Sequence, residues 1–166
     1  MSAPSEHRPS KWFTTSLRVR YQESDQMSVV YHANYLNWFE IGRTEMIREM
    51  GFNYRDMEEA GVLLPVIDVQ MKFRQPARYD DEIMIFTKVT AFTPLRIHYE
   101  YEIRRVQHSP TNWEIEEGSL LGELLVTGTT QHVWIGRDWK PSRLDKKLPK
   151  LYNALKEILL TQKEPS

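Results

Sequence analysis

The chain has 166 residues, a formal net charge of -1 and no cysteine. The length favours one domain with a sizeable core, and the near-zero charge argues against a generally basic nucleic-acid or membrane-surface binder. The lack of thiols excludes disulfides, thiolate metal sites and a cysteine nucleophile, and no apolar run nears the roughly 20 residues of a membrane span.

Residues 1–11 are polar and carry two prolines without an apolar stretch. They read as a disordered N-terminal tail rather than a secretory signal, ahead of a single domain at 12–166 and with a cytoplasmic location expected. Trp12 to Tyr21 reads as a first strand, because Leu17, Val19 and Tyr21 alternate with Arg18 and Arg20. Gln22 to Ala33 is a turn. Asn34 is then a helix-capping residue type, and Tyr35, Phe39, Gly42, Met46 and Met50 follow at helical spacing. Leu36, Trp38, Ile41 and Ile47 widen that apolar face, so the helix is expected to be largely enclosed. Gly51 is its stop. Gly42 within it costs about 1 kcal/mol relative to alanine, which a close approach by another backbone would explain.

A short helical turn is expected over Phe52–Gly61. Four strands follow in meander style. Ile67, Val69, Met71 and Phe73 alternate with polar neighbours, which predicts one face on the core. Glu82–Phe92, Leu95–Ile103 and Leu120–Ile135 complete the set, with a hairpin loop at Gln107–Gly118. Gly122 and Gly128 mark bulges or close packing. A terminal helix begins near Pro149, with Leu151, Leu155, Ile158 and Leu159 on one side. One wide apolar helix among antiparallel strands gives an α+β fold, with a curved sheet of about five strands wrapped around one long central helix and a C-terminal helix added. Apolar residues on the sheet's outer face would need a second subunit as cover.

The stretch YQESDQMSVVYHANYLNWFEIGRTEMIR, residues 21–48, resembles the signature of hotdog-fold acyl-CoA thioesterases of the YbgC/FadM type, which are related to 4-hydroxybenzoyl-CoA thioesterase. The match runs through Tyr21, Ser24-Asp25, Val29-Val30, Tyr31-His32 and Asn34-Tyr35, and continues through Phe39-Glu40 and Arg43-Thr44-Glu45. The segment FRQPARYDDEI at 73–83 and the tail WKPSRLDKKLP resemble later landmarks of the group. Ser28 departs from the family's usual glycine, a residue that would permit a positive φ.

The resemblance implies hydrolysis of an acyl-CoA to a carboxylic acid and coenzyme A. Asp25 would be the catalytic carboxylate, as nucleophile or as general base on water. Backbone amides at the helix start would polarise the carbonyl, that of His32 foremost, with the His32 imidazole either placing substrate or packing at the helix start. Tyr21 would touch Asp25 or the acyl group, or simply pack; Tyr31 and Asn34 would contact substrate. The implied assembly is a homodimer or homotetramer with active sites between subunits. Acyl carrier protein is a second candidate donor. No cofactor is expected, and the scattered histidines lack metal-ligand spacing. Arg74, Arg78, Arg96, Arg137, Lys140 and Arg143 are candidates for the coenzyme A phosphates. Two other classes stay open: a hotdog hydratase or dehydratase acting on acyl thioesters, and a non-catalytic acyl-CoA or acyl-carrier binding module.

Overall fold

Alternating apolar residues become five strands in the computed structural model, which describes residues 12–106 and 122–162. The strands are β1 (Phe13–Arg18), β2 (Val66–Phe73), β3 (Glu82–Phe92), β4 (Arg96–Arg105) and β5 (Glu123–Val133). The helices are α1 (Ala33–Glu49), α2 (Tyr54–Glu59), α3 (Leu144–Lys147) and α4 (Pro149–Gln162). The expected tail at 1–11 and hairpin loop at 107–118 lie outside the described residues.

All strand pairs are antiparallel, and the sheet order is β1-β3-β4-β5-β2. The meander is therefore β3-β4-β5 alone. β2 does not neighbour β3 as the expected four-strand meander required; it pairs with β5 at the far edge. The chain returns from that edge through residues 74–81, which are tied down along the way. Arg74 N donates to Leu125 O, Val30 N donates to Ala77 O at 2.8 Å, and Asp80 N donates to Val19 O. Ala77 N donates to the Tyr35 hydroxyl at 3.0 Å.

α1 buries Tyr35, Trp38, Phe39, Gly42, Met46 and Ile47 against the sheet. Two small residues set how closely it lies. A Cβ at Gly42 would overlap Thr87 Oγ1 and fall 2.8 Å from Ile85 Cγ2, so the close neighbours are β3 side chains, not another backbone. A Cβ at Gly128 would overlap the Phe39 ring, which stacks on Tyr101 at 4.2 Å between centroids. Gly128 is thus a packing position within a regular register; the β4/β5 irregularity falls opposite Ile103 and Arg104 instead.

The outer face of β3 carries a second buried cluster, Trp12, Met84, Phe86 and Val106, with Trp12 edge-on to Phe86. That apolar patch is already covered within one chain. β2 is the opposite case. Its sequence alternates, yet every residue except half-buried Met71 is exposed. It was expected to place one face on the core. Its edge position leaves it mostly clear of α1, which packs chiefly on β1, β3 and β4 and meets β2 at its end, through Tyr35 and Phe73.

Candidate active site

The first strand ends at Arg18, and a single 3-10 turn over Tyr21–Glu23 redirects the chain. This turn is built around Glu23, a buried acid. Its Oε1 accepts from Arg20 N at 2.8 Å and its Oε2 from the Trp38 indole Nε1 at 2.8 Å. Its main-chain oxygen accepts from Tyr31 N and from the Asn34 side-chain amide, both at 2.9 Å. One residue thereby fixes both ends of the following loop against α1.

The loop itself closes through a bridge between Ser24 and Val30. Asp25 N donates to Val29 O at 2.8 Å, and Ser28 N donates to Asp25 O at 3.0 Å. The Asp25 carboxylate turns back so that Oδ1 accepts from Met27 N at 2.8 Å, an Asx-type turn. Oδ2 has no protein partner among the described residues. Ser28 takes φ 63, the left-handed region in which glycine is unstrained.

α1 begins at Ala33 with His32 as its N-cap, and no side chain caps it. Asn34 was expected in that capping role; its side chain instead donates to Glu23 O. The amides of Asn34 and Tyr35 turn back to Tyr31 O and His32 O. Those of His32 and Ala33 have no acceptor among the described residues, so free N–H groups and the positive end of the helix dipole meet here.

Asp25 and His32 line one cleft of about 250 Å³, together with Met27, Tyr35, Phe73 and Arg74. Phe73 stands over Tyr35 at 5.6 Å and is 54% exposed. Burial is the main cause holding the Tyr35 phenol above its ordinary pKa, against the Ala77 amide it accepts from. The cleft therefore offers one carboxylate, His32 at the open start of α1, and an apolar wall.

The remaining expected site residues are less central. Tyr21 is 79% exposed, lies edge-on to Tyr79 at 5.6 Å, and does not line the cleft. Tyr31 is exposed and tilted against the His32 ring at 4.4 Å. Asn34 is occupied in holding the turn. Among the six basic candidates only Arg74 lines the cleft. Arg137 donates to Glu58 O and Glu59 O at the end of α2, and Arg143 pairs with Asp145. Glu23 and Phe73 carry the site's geometry without having been singled out as functional. The only sequence signal for Glu23 is an acid set inside an otherwise short polar turn. Among the described residues no three metal-binding side chains gather, and no helix is long and apolar enough to cross a membrane.

Comparison with known proteins bears on this arrangement. The thioesterase-like superfamily matches residues 19–155. The Bacillus subtilis protein YneP, assigned as an acyl-CoA thioesterase, is 35% identical over 83% of this chain and 91% of its own. The acyl-CoA thioester hydrolase YbgC of Escherichia coli is 30% identical over 60% of this chain and 75% of its own. A solved DHNA-CoA thioesterase from Staphylococcus aureus superposes with a TM-score of 0.79 at 33% identity, covering 93% of this chain and 96% of that one. The family match includes the Asp25 turn, α1 and the whole sheet from β2 to β5, and on these grounds the chain belongs to the thioesterase-like superfamily, with the hotdog fold.

Proposed function

We propose that the protein hydrolyses acyl-CoA thioesters, with Asp25 as the reacting carboxylate. The observation that carries this reading is the meeting of Asp25, its Oδ2 unbonded, with His32 at the open head of α1 in one cleft. Thioester cleavage needs both parts. In one route Oδ2 attacks the acyl carbon, the C–S bond breaks, coenzyme A leaves as thiolate, and water then cleaves the acyl–aspartyl anhydride. In the other, Asp25 takes a proton from a water that attacks directly. In both, the carbonyl oxygen gains charge that the His32 and Ala33 amides stabilise. Arg74 supplies a cation at the cleft for the anionic part of coenzyme A.

The same reading includes a second copy of the chain. β2 ends the sheet, so its outer backbone groups are open, and Val69 and Phe73 are exposed beside the cleft. A bare apolar edge favours strand addition. Pairing of two β2 strands would cover these residues and close the cleft with the partner's surface.

The test is a free-thiol release assay over short, long, branched and aromatic acyl-CoAs, with Asp25→Asn beside the wild type. The variant keeps the size and the Oδ1 acceptor, so it should fold and lose at least a thousandfold in kcat. Near-wild-type turnover by Asp25→Asn on every substrate would overturn the assignment. A single turnover in heavy-oxygen water separates the routes, since label in Asp25 itself arises only from the anhydride.

A further inference from the structure

Arg74, the residue that follows β2, borders two hollows at once. One is the Asp25 cleft on the α1 side of the sheet. The other lies on the opposite face, also holds about 250 Å³, and is lined by Gln70, Lys72, Glu100, Thr127 and Thr129. The strand register brings these side chains to one face. Lys72 stands opposite Thr127, and Thr129 lies between Gln70 and Glu100. Their alternate neighbours Tyr99, Tyr101 and Thr130 point the other way and are buried under α1.

The second hollow carries unanswered charge. Lys72 and Arg74 are exposed, and neither is ion-paired among the described residues. One acid, Glu100, stands against the two cations. The Thr127 and Thr129 hydroxyls bond to no protein group among the described residues. Two open cations beside free hydroxyls suit phosphate oxygens, which accept charge-assisted bonds from the first and ordinary ones from the second.

We propose that this hollow takes the phosphate-bearing nucleotide end of coenzyme A, with Lys72 and Arg74 on its phosphates and the two threonine hydroxyls beside them. The proposal rests on the acyl-CoA reading of the Asp25 cleft. With the thioester at Asp25 and Arg74 common to both hollows, the pantetheine arm passes round the end of β2 at Arg74. Glu100 is placed to accept from the ribose hydroxyl that carries no phosphate. Pairing of β2 with a second copy uses its backbone edge and leaves this face open. The hollow thus grips the part of the substrate that does not react, and the cleft alone meets the acyl group.

Two thioesters of one acyl group isolate the nucleotide end: acyl-CoA, and acyl-pantetheine, which lacks the phosphates and the adenosine. Lys72→Met removes an exposed charge and keeps the apolar stem, so the variant folds. It should raise KM for acyl-CoA about three- to tenfold, acting chiefly through KM and not kcat. The effect on acyl-pantetheine should be clearly smaller. Adenosine 3′,5′-bisphosphate should compete with acyl-CoA in the wild type, less well as salt rises, and its Ki should increase in Lys72→Met. Equal losses on both thioesters, or a bisphosphate that does not compete, would overturn the proposal and leave the thioesterase reading in place. A wild type that cleaves neither thioester would remove both.

Discussion

The Trp38 indole donates to Glu23 Oε2 across 2.8 Å, joining a helix residue to a turn residue fifteen positions earlier. Trp38 is only 1% exposed and lies edge-on to Tyr35. Tyr35 in turn holds Ala77, and Ala77 accepts from Val30. The Asp25 loop therefore hangs from buried groups at both ends, and its carboxylate inherits their rigidity.

Replacing Glu23 tests that dependence. Glutamine offers one acceptor where Arg20 N and Trp38 Nε1 both need one, so a buried donor is left facing the new amide. We expect Glu23→Gln to lose about 1–3 kcal/mol in urea denaturation. Its kcat/KM should fall tenfold or more although Asp25 is untouched. Wild-type activity in a measurably destabilised variant would show that the turn does not need this anchor.

Ser28 offers a change in the opposite direction. Its φ of 63 strains any side chain, and it is exposed, so little contact is lost on removing one. The gain is partly offset by the greater freedom of glycine in the unfolded chain. Ser28→Gly should stabilise by about 0.5–1 kcal/mol, while Ser28→Ala gains nothing and hydrolysis continues in both. A glycine variant less stable than wild type would mean that the serine hydroxyl holds the turn.

Local periodicity explains which parts of this architecture could be read from the sequence. The alternation in β4, the run of Ile, Val, Thr and Phe in β3 and the spacing of Tyr35, Phe39, Gly42 and Met46 are properties of short windows, and the structure keeps them. The positive φ at Ser28 was also legible, because the resemblance marks that position as glycine. What failed was non-local. Which edge β2 joins depends on how residues 74–81 dock on Val30 and Tyr35, and no window of β2 contains that. Tyr21 continues the strand's alternation in sequence, but the 3-10 turn after Arg20 rotates it to the surface. Glu23 is buried only because Trp38 returns to meet it.

β2 supplies the test of the proposed assembly. Val69 lies on the same face as Met71 and Phe73, opposite Thr130. A charge there would have to be buried in a two-copy sheet but costs little on an isolated edge. Val69→Lys should shift sedimentation from dimer to monomer and reduce kcat/KM at least tenfold, with the monomer still folded by circular dichroism. A fully active monomer would show that one chain holds the complete site.

His132 ties stability to pH. It lies on the buried face of β5, with Nε2 2.8 Å from Thr130 Oγ1 and Nδ1 3.4 Å from Leu64 O. Burial, reinforced by Arg43 on α1 and more weakly by His98 on β4, lowers its pKa from 6.5 to about 4. The folded state therefore resists a proton that the unfolded chain accepts. The stabilisation is complete above pH 6.5 and is lost as pH falls towards 4, where the unfolded state binds more protons. That difference corresponds to about 3 kcal/mol. Urea unfolding at fixed protein concentration between pH 7 and 4 should show this loss on top of the carboxylate contribution, and His132→Gln, which cannot ionise, should show a correspondingly shallower slope. Equal slopes for the two proteins would mean that His132 takes up its proton in the folded state near its ordinary pKa, which its enclosure beside Arg43 argues against.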